Sequence, residues 1–267
     1  MIAKLQSLAE KYPTRGFWVY YGRIRNEGKI WNHKRIKRVY NLMGLNIRRK
    51  HKRRLPNREK LPLEQPYTVN QKWSMDFMSD ALTDGRKFRT FNLIDDFNRE
   101  VLAVEADTSL PAKRVVRVLE RVIWERGKPA SIRVDNGPEF ISNTLESFCK
   151  EQSIQLQFIK PGKPMQNGFV ERFNRTYRED VLDAYLFNSL KQVRELTWEW
   201  VEDYNAYHPH QSLNGLSPIG YRQAVESGKL PTRKCPPEFT TCNSGSDNNN
   251  HDVNFLNSNI INPLKSN

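Results

Sequence analysis

The chain has 267 residues, of which 37% are apolar and 27% charged, with a mean hydropathy of −0.75. No run approaches the roughly 18 consecutive apolar residues of a membrane-spanning helix, so a membrane-spanning protein is not expected. The net charge is +13, and all of the excess lies in residues 1–60, where 18 basic side chains face 3 acidic ones; residues 61–267 are close to neutral, with 25 basic and 27 acidic. A segment that basic repels itself unless a polyanion is near, which points to a phosphate-bearing partner; the alternative is a merely solubilising arm. Cys149, Cys235 and Cys242 form no C-x-x-C pair. That fits a reducing compartment without a disulfide framework or thiolate metal cluster. The first thirty residues hold no apolar export segment, so a cytosolic location is expected.

In chain order, Ile36, Val39, Tyr40 and Met43 recur at helical spacing, with Lys34, Arg35, Lys37 and Arg38 between them. This predicts a short amphipathic helix, capped by Asn32 and ended by Gly44, with a cationic outer face for DNA. Arg48, Arg49, Lys50, His51, Lys52, Arg53 and Arg54 follow with too little apolar content to pack, up to Pro56, Pro62 and Pro66. This run up to the prolines reads as a stretch that tracks DNA backbone; residues 1–55 are taken as a basic helical DNA-binding module and 56–70 as a linker.

From Trp73 the period changes to that of a strand, Trp73, Met75 and Phe77 alternating with Ser74, Asp76 and Met78. Two more strands, Phe91 to Asp95 and Val101 to Ala106, flank the turn-like Asn98-Arg99. A helix through Val115 to Ile123 ends at Gly127, and a short strand runs Ser131 to Val134. A helix over Asn143 to Glu151, a strand over Ile154 to Ile159, a Pro161 to Pro164 loop, and helices from about 167 to 187 and 190 to 207 complete the pattern. The order βββαβαβα predicts an α/β fold, a mixed sheet with flanking helices over residues 71–228. Residues 229–267 read as a disordered tail; from 240 on they hold nine Asn and four Ser.

Three acids stand out by position. Asp76 lies mid-strand, where a charge is costly without a ligand or partner. Asp135 follows the strand Ser131 to Val134, at the kind of strand edge where sites form. Glu171 lies on a helix whose apolar stripe is Phe169, Val170, Phe173, Tyr177 and Val181, while Arg175 and Arg178 share its own side. Three convergent carboxylates can hold two hard cations, which activate a hydroxyl on one side of a phosphodiester and stabilise the leaving oxygen on the other. Each acid alone is equally well an ordinary strand, turn or helix residue. Asp95 and Asp96 are expected to be a strand-end pair closed by Arg99 rather than extra ligands, and Trp198 and Trp200 to be core. His33 and His51 lack paired cysteines, so no zinc is expected.

The stretches Trp73-Ser74-Met75-Asp76-Phe77, Val134-Asp135-Asn136-Gly137-Pro138-Glu139-Phe140, and Pro161 to Arg175, with Gly168-Phe169-Val170-Glu171-Arg172 at its centre, resemble the DDE transposase/integrase core. They are similar in particular to the second-frame (OrfB) transposases of the IS-three family of bacterial insertion sequences. The 35 residues between Asp135 and Glu171 are the spacing typical of that family. The resemblance continues through Tyr204-Asn205, Pro209-His210, Ser212-Leu213 and Ser217-Pro218, and upstream through Asn32 to Arg35. It implies a ribonuclease H-like core behind a helix-turn-helix-like module, and Mg²⁺, with Mn²⁺ as a substitute, held by Asp76, Asp135 and Glu171. It implies cleavage at element ends and joining of the freed 3′-hydroxyl to a new strand. The implied partners are double-stranded DNA, as terminal inverted repeats and target, a second copy of the chain on that DNA, and an upstream first-frame helix-turn-helix protein, fused or separate; the implied location is the nucleoid. Lys163, Gln166, Asn167, Arg172, Arg175 and Arg178 are the expected DNA contacts near the scissile phosphate. His208 departs from the Arg that family members often carry. A catalytically silent, transposase-derived DNA-binding regulator is the rival reading, and a retroelement integrase or a ribonuclease H-type nuclease are further ones.

Overall fold

The alternation that begins at Trp73 forms the central strand of a five-stranded sheet. In the computed structural model, which describes residues 1–47, 65–137, 139–160 and 164–230, the strands are β1 (Lys72–Ala81), β2 (Lys87–Asp95), β3 (Val101–Asp107), β4 (Ser131–Val134) and β5 (Gln155–Phe158). Their order across the sheet is β3-β2-β1-β4-β5, antiparallel from β1 to β3 and parallel from β1 to β5. The basic run Arg48 to Arg54, Lys163 and the residues after 230 lie outside the described residues.

Strand alternation assigns each side chain of β1 to a layer. Trp73 and Met75, with Phe91 and Leu93 of β2, pack under α4 (Ala112–Arg126) and α5 (Asn143–Glu151), which supply Val115, Val118, Leu119, Leu145 and Phe148. The other face carries Met78 of β1 and Phe88 and Ile94 of β2, covered by α6 (Gly168–Tyr177) and α7 (Leu190–Tyr207) through Val170, Phe173, Tyr177, Trp200 and Tyr204. Asp76 shares the face of Met78 and so looks toward α6. Gly127, at φ +86°, ends α4 in the left-handed region, and Ser142 caps α5 by accepting from Leu145 N.

The expected helix over 167–187 is shorter. A 3₁₀ turn (Pro164–Asn167) leads into α6, which gives way after Tyr177 to a π turn, Arg178–Leu182. The wide turn brings Asp180 inward, where Arg15 Nε donates to it at 2.8 Å and Trp200 Nε1 at 3.3 Å. Trp200 is buried, but Trp198, two residues and so about 200° round α7, is 68% exposed, which corrects its assignment to the core. Arg99 closes the Asp95-Asp96 turn through its amide, which donates to Asp95 O at 2.9 Å, and its charge acts on Asp96; the Asp95 carboxylate also accepts from the amides of Asn70 and Phe97, and Asp96 pairs with Arg133 of β4 at 3.2 Å.

Three helices precede the sheet, α1 (Ile2–Lys11), α2 (Phe17–Asn26) and α3 (His33–Leu42). Only α3 was legible in the sequence; its cap is Asn32, whose side chain accepts from Lys34 N. The last helix, α8 (Pro218–Glu226), starts at Ser217. Leu5, Leu8, Tyr20, Ile24, Ile36 and Tyr40 join the same apolar cluster as Phe173 and Trp200. Arg23, 1% exposed, pairs with Asp203 of α7, and Tyr12 donates to the same carboxylate at 2.5 Å. A Cβ on Gly22 would meet Pro209 at 2.5 Å, so α2 seats at a distance only glycine permits. Residues Met1–Arg233 form one compact unit. Among the described residues no helix is long and apolar enough to cross a membrane.

Candidate active site

Register brings two of the acids level. β1 and β4 run parallel with Ser74 opposite Arg133, so two residues further along each strand the chain reaches Asp76 and Asp135. Neighbouring strands lie about 4.8 Å apart, which sets the scale of their separation. Glu171 enters from above in the first turn of α6, the helix that covers this face.

Asp76 is held by amides. Its Oδ2 accepts from Asn174 Nδ2 at 2.7 Å, and Asn174 Oδ1 accepts from Asn92 Nδ2 at 2.7 Å; Asn92 is the cross-strand neighbour of Asp76 on β2. Its Oδ1 accepts from the Phe77 amide at 2.8 Å. Two turns before Asn174, at the N-cap of α6, Asn167 is buried and donates to Met75 O at 3.4 Å. Helix α6 is thus tied to β1 at Met75 and at Asp76. Asp135 closes its own turn by accepting from Gly137 N at 3.0 Å; a Cβ on Gly137 would sit 2.9 Å from that Oδ1. The loop beyond is pinned by Glu139 pairing with Arg89 and by Phe140 stacking on Phe77, centroids 4.9 Å apart.

Burial, then the charges of Asp135 and Glu171, push the Asp76 carboxyl up to about 6, against the stabilising amides of Phe77 and Asn174. Burial also raises Glu171. Asp135 and Glu171 thus both act on Asp76, and among the described residues none of the three is paired with Lys or Arg. Among those residues no three His, Cys, Asp or Glu side chains stand close enough to enclose a metal ion. The acids act on one another across a gap. Three carboxylates with no cationic partner among the described residues suit a hard divalent cation in donor type and charge.

The expected DNA contacts separate. Lys34, Arg35 and Arg38 are exposed on α3; Lys37 is half-buried, its Nζ 4.7 Å from the centroid of Phe17 and 5.0 Å from that of Tyr40. Arg175 is exposed and pairs with Glu179 at 3.0 Å. Arg178 is engaged with the end of β1, through Asp80 at 3.3 Å and Ser79 O at 3.0 Å. Gln166 Oε1 accepts from Lys160 N at 2.8 Å and closes its own loop. Asn167, being buried, anchors α6 and offers DNA no surface. Arg48, Arg49, Lys50, Arg53, Arg54 and Lys163 lie outside the described residues. His208 is buried and stacked on Tyr204, centroids 4.8 Å apart, so the position packs inward. Asn174 and Asn92 were not read as site residues; the signals available were an Asn on the apolar side of a helix and an Asn inside Phe91 to Ile94.

Residues 66–164 and 152–218 match two family models, both described as integrase core domain. The chain is 36% identical, over 82% of its length and 79% of the relative's, to an uncharacterized 31.7 kDa protein of insertion element IS407 from Burkholderia multivorans. It belongs to the DDE integrase-core transposases of bacterial insertion sequences. A protein named as a transposase, InsK of insertion sequence element IS150 of Escherichia coli, is 25% identical to this transposase over 74% of each chain. A chain of a simian T-cell lymphotropic virus intasome superposes with a TM-score of 0.56 at 15% identity, covering 89% of the transposase and 79% of that chain. That likeness is one of fold, the ribonuclease H-like sheet with its flanking helices. The enzyme is accordingly a polynucleotidyl transferase.

Proposed function

We propose that this transposase cuts DNA at the ends of its insertion element and joins the freed 3′-hydroxyl to a new strand, with Asp76, Asp135 and Glu171 holding Mg²⁺, or Mn²⁺ in its place. The observation that supports the reading is the convergence of the three acids: parallel register sets Asp135 level with the buried Asp76, and the first turn of α6 lays Glu171 over the same face. The bound cations would activate the attacking hydroxyl and stabilise the leaving oxygen. The chain's own part is positional. Asn174 and Asn92 fix the Asp76 carboxylate, Gly137 N orients Asp135, and the Phe173 and Tyr177 stripe seats the helix that carries Glu171. In the cut water attacks the phosphodiester and the 3′-oxygen leaves; in joining the freed 3′-hydroxyl attacks a bond of the new strand and displaces that bond's 3′-oxygen, so neither step needs a protein nucleophile.

The substrates are double-stranded terminal inverted repeats and target DNA. The cations of α3 and the run Arg48 to Arg54 supply sequence-independent phosphate contacts. The proposed division is a DNA-binding module over 1–55, a linker over 56–70, the catalytic core over 71–228 and a tail over 229–267. The working form is a homo-oligomer on DNA in the nucleoid, acting with an upstream first-frame protein or fused to it.

The test is strand cleavage and joining in Mg²⁺ with Asp135→Asn and Glu171→Gln. Both activities should vanish while duplex binding stays near wild type. Joining retained by either variant would sink the assignment. A silent regulator would instead bind DNA and show no metal-dependent nicking even as wild type.

A further inference from the structure

Alongside α6 the fold leaves a cavity of about 260 Å³, bounded by Gly168, Phe169 and Arg172 of the helix, Arg99 of the β2–β3 turn, Tyr204 of α7 and His210 beyond it. Its charge is one-sided: two of the ten lining residues are arginines and none is Asp or Glu. Arg99 is buried, its backbone at φ +64° and its guanidinium carbon 3.5 Å from the centroid of Phe169. Arg172 is exposed and makes no side-chain hydrogen bond or ion pair among the described residues. His210 Nε2 is buried and has no hydrogen-bond partner among the described residues. Burial, then the charges of Arg99 and Arg172, push this imidazole down to about 3, so at neutral pH it is uncharged and has one N–H to donate. Helix α6 begins at this cavity with no side-chain cap, so its positive end adds to the same field.

Converging guanidinium groups on partly apolar walls, where charges are poorly screened, call for an anion. We propose that this cavity is a phosphate-binding site, and that its occupant is a backbone phosphate of the DNA strand undergoing reaction at Glu171. The choice of occupant rests on the DNA-joining function proposed above. Arg172 is the next residue after Glu171, about 100° round the helix, so a strand reacting at the carboxylates has an adjoining phosphate in reach of this guanidinium. Arg99 and His210 would hold that phosphate from the inner side. The site gives the strand a hold that does not depend on the carboxylates, which keeps the reacting bond in place through cleavage and joining.

Two probes on the full chain test this, inorganic phosphate and a duplex of the element's terminal sequence. Titration with inorganic phosphate should move the His210 ring signals in NMR and raise the pH at which they titrate, because a bound anion favours the imidazolium; Arg172→Ala should greatly weaken that response. With duplex DNA, Arg172→Ala should lower the slope of log affinity against log salt by about 0.9, the share of one phosphate. His210→Gln should keep the wild-type slope, and because it retains a donor it should bind more tightly than His210→Ala. A wild-type slope in Arg172→Ala overturns the proposal, whether or not His210 responds to inorganic phosphate. That result leaves the DNA reading standing, whereas a wild-type chain that binds no duplex at all would contradict that reading too.

Discussion

Asp76 keeps its direction because two asparagines, one beside it on β2 and one on α6, pass a chain of 2.7 Å hydrogen bonds to its carboxylate. Removing the middle link leaves the Asn92 amide buried without its acceptor and lets the carboxylate turn. Asn174→Ala should therefore slow strand joining and weaken divalent-cation binding by about 10- to 100-fold, as loss of a residue behind a metal ligand does, while stability falls by only about 1–3 kcal/mol. Calorimetric Mn²⁺ binding beside a thermal melt separates the two effects; unaltered Mn²⁺ affinity would show that Asn174 is only packing. The imidazoles of His208, which is buried, and His210, which is half-buried, make a second prediction at this scale. Burial holds both below their ordinary value, His210 at about 3 and His208 well below 6.5. Their folded-state pKa values are depressed, so the unfolded chain binds more protons than the folded one below pH 6.5, and each removes up to about 1.4 kcal/mol of stability per pH unit as pH falls. Asp76 and Asp95, raised to about 6 and 7, act in the opposite direction, so the total curve is not diagnostic. The difference is: His208→Gln should flatten the fall in melting temperature between pH 6.5 and 4 relative to wild type, and parallel curves would contradict the buried neutral imidazole.

Helix α6 is the element on which chemistry and packing meet. Val170, Phe173 and Tyr177 face the sheet and α7, while Glu171 and Arg175 face outward. Phe173→Ala should cost about 3–5 kcal/mol, the usual range for a core aromatic, and lower the melting temperature markedly. Arg175→Ala loses only an exposed pair with Glu179, within about 0.5 kcal/mol, and should slow joining if it touches DNA. If Arg175→Ala unfolds the protein and Phe173→Ala does not, the helix faces the other way. Periodicity alone assigned that stripe correctly, and β4, α5 and α7 were legible to the residue because a Gly or Ser cap or a sharp change of period bounds each. What stayed hidden has physical causes. Helix α2 buries Tyr20 and Arg23, and Tyr12 is buried just after α1, residues that read as surface when no partner is in view. The π turn after Tyr177 depends on Arg15, more than 160 residues away, reaching Asp180. The three acids were visible through their motifs; Asn174 and Asn92 were not, because a buried amide earns its role only from a contact across the fold.

Across the whole molecule, the basic N-terminal helices are seated on the catalytic core rather than tethered to it. Arg15 and Arg23 give up solvent to pair with Glu179, Asp180 and Asp203, so a part of the N-terminal positive charge belongs to folding, whereas Lys34, Arg35 and Arg38 stay exposed. Breaking a buried pair leaves an uncompensated charge: Arg23→Ala should destabilise the full chain by about 3 kcal/mol or more, measured by denaturant unfolding, and a loss under about 1 kcal/mol would show that the helices dock without it. The same docking places the cationic face of α3 and the carboxylates of the sheet on one compact unit, as expected of a protein that must grip DNA and cut it. Asp76, Asp135 and Glu171 are proposed to form a single metal site. Its most direct test is Mn²⁺ binding by calorimetry to wild type and to Asp76→Asn, Asp135→Asn and Glu171→Gln, each checked by thermal melting to be folded. Wild type should bind, and each substitution should weaken binding by more than about tenfold. Equal Mn²⁺ affinity in wild type and any one folded variant would contradict the account.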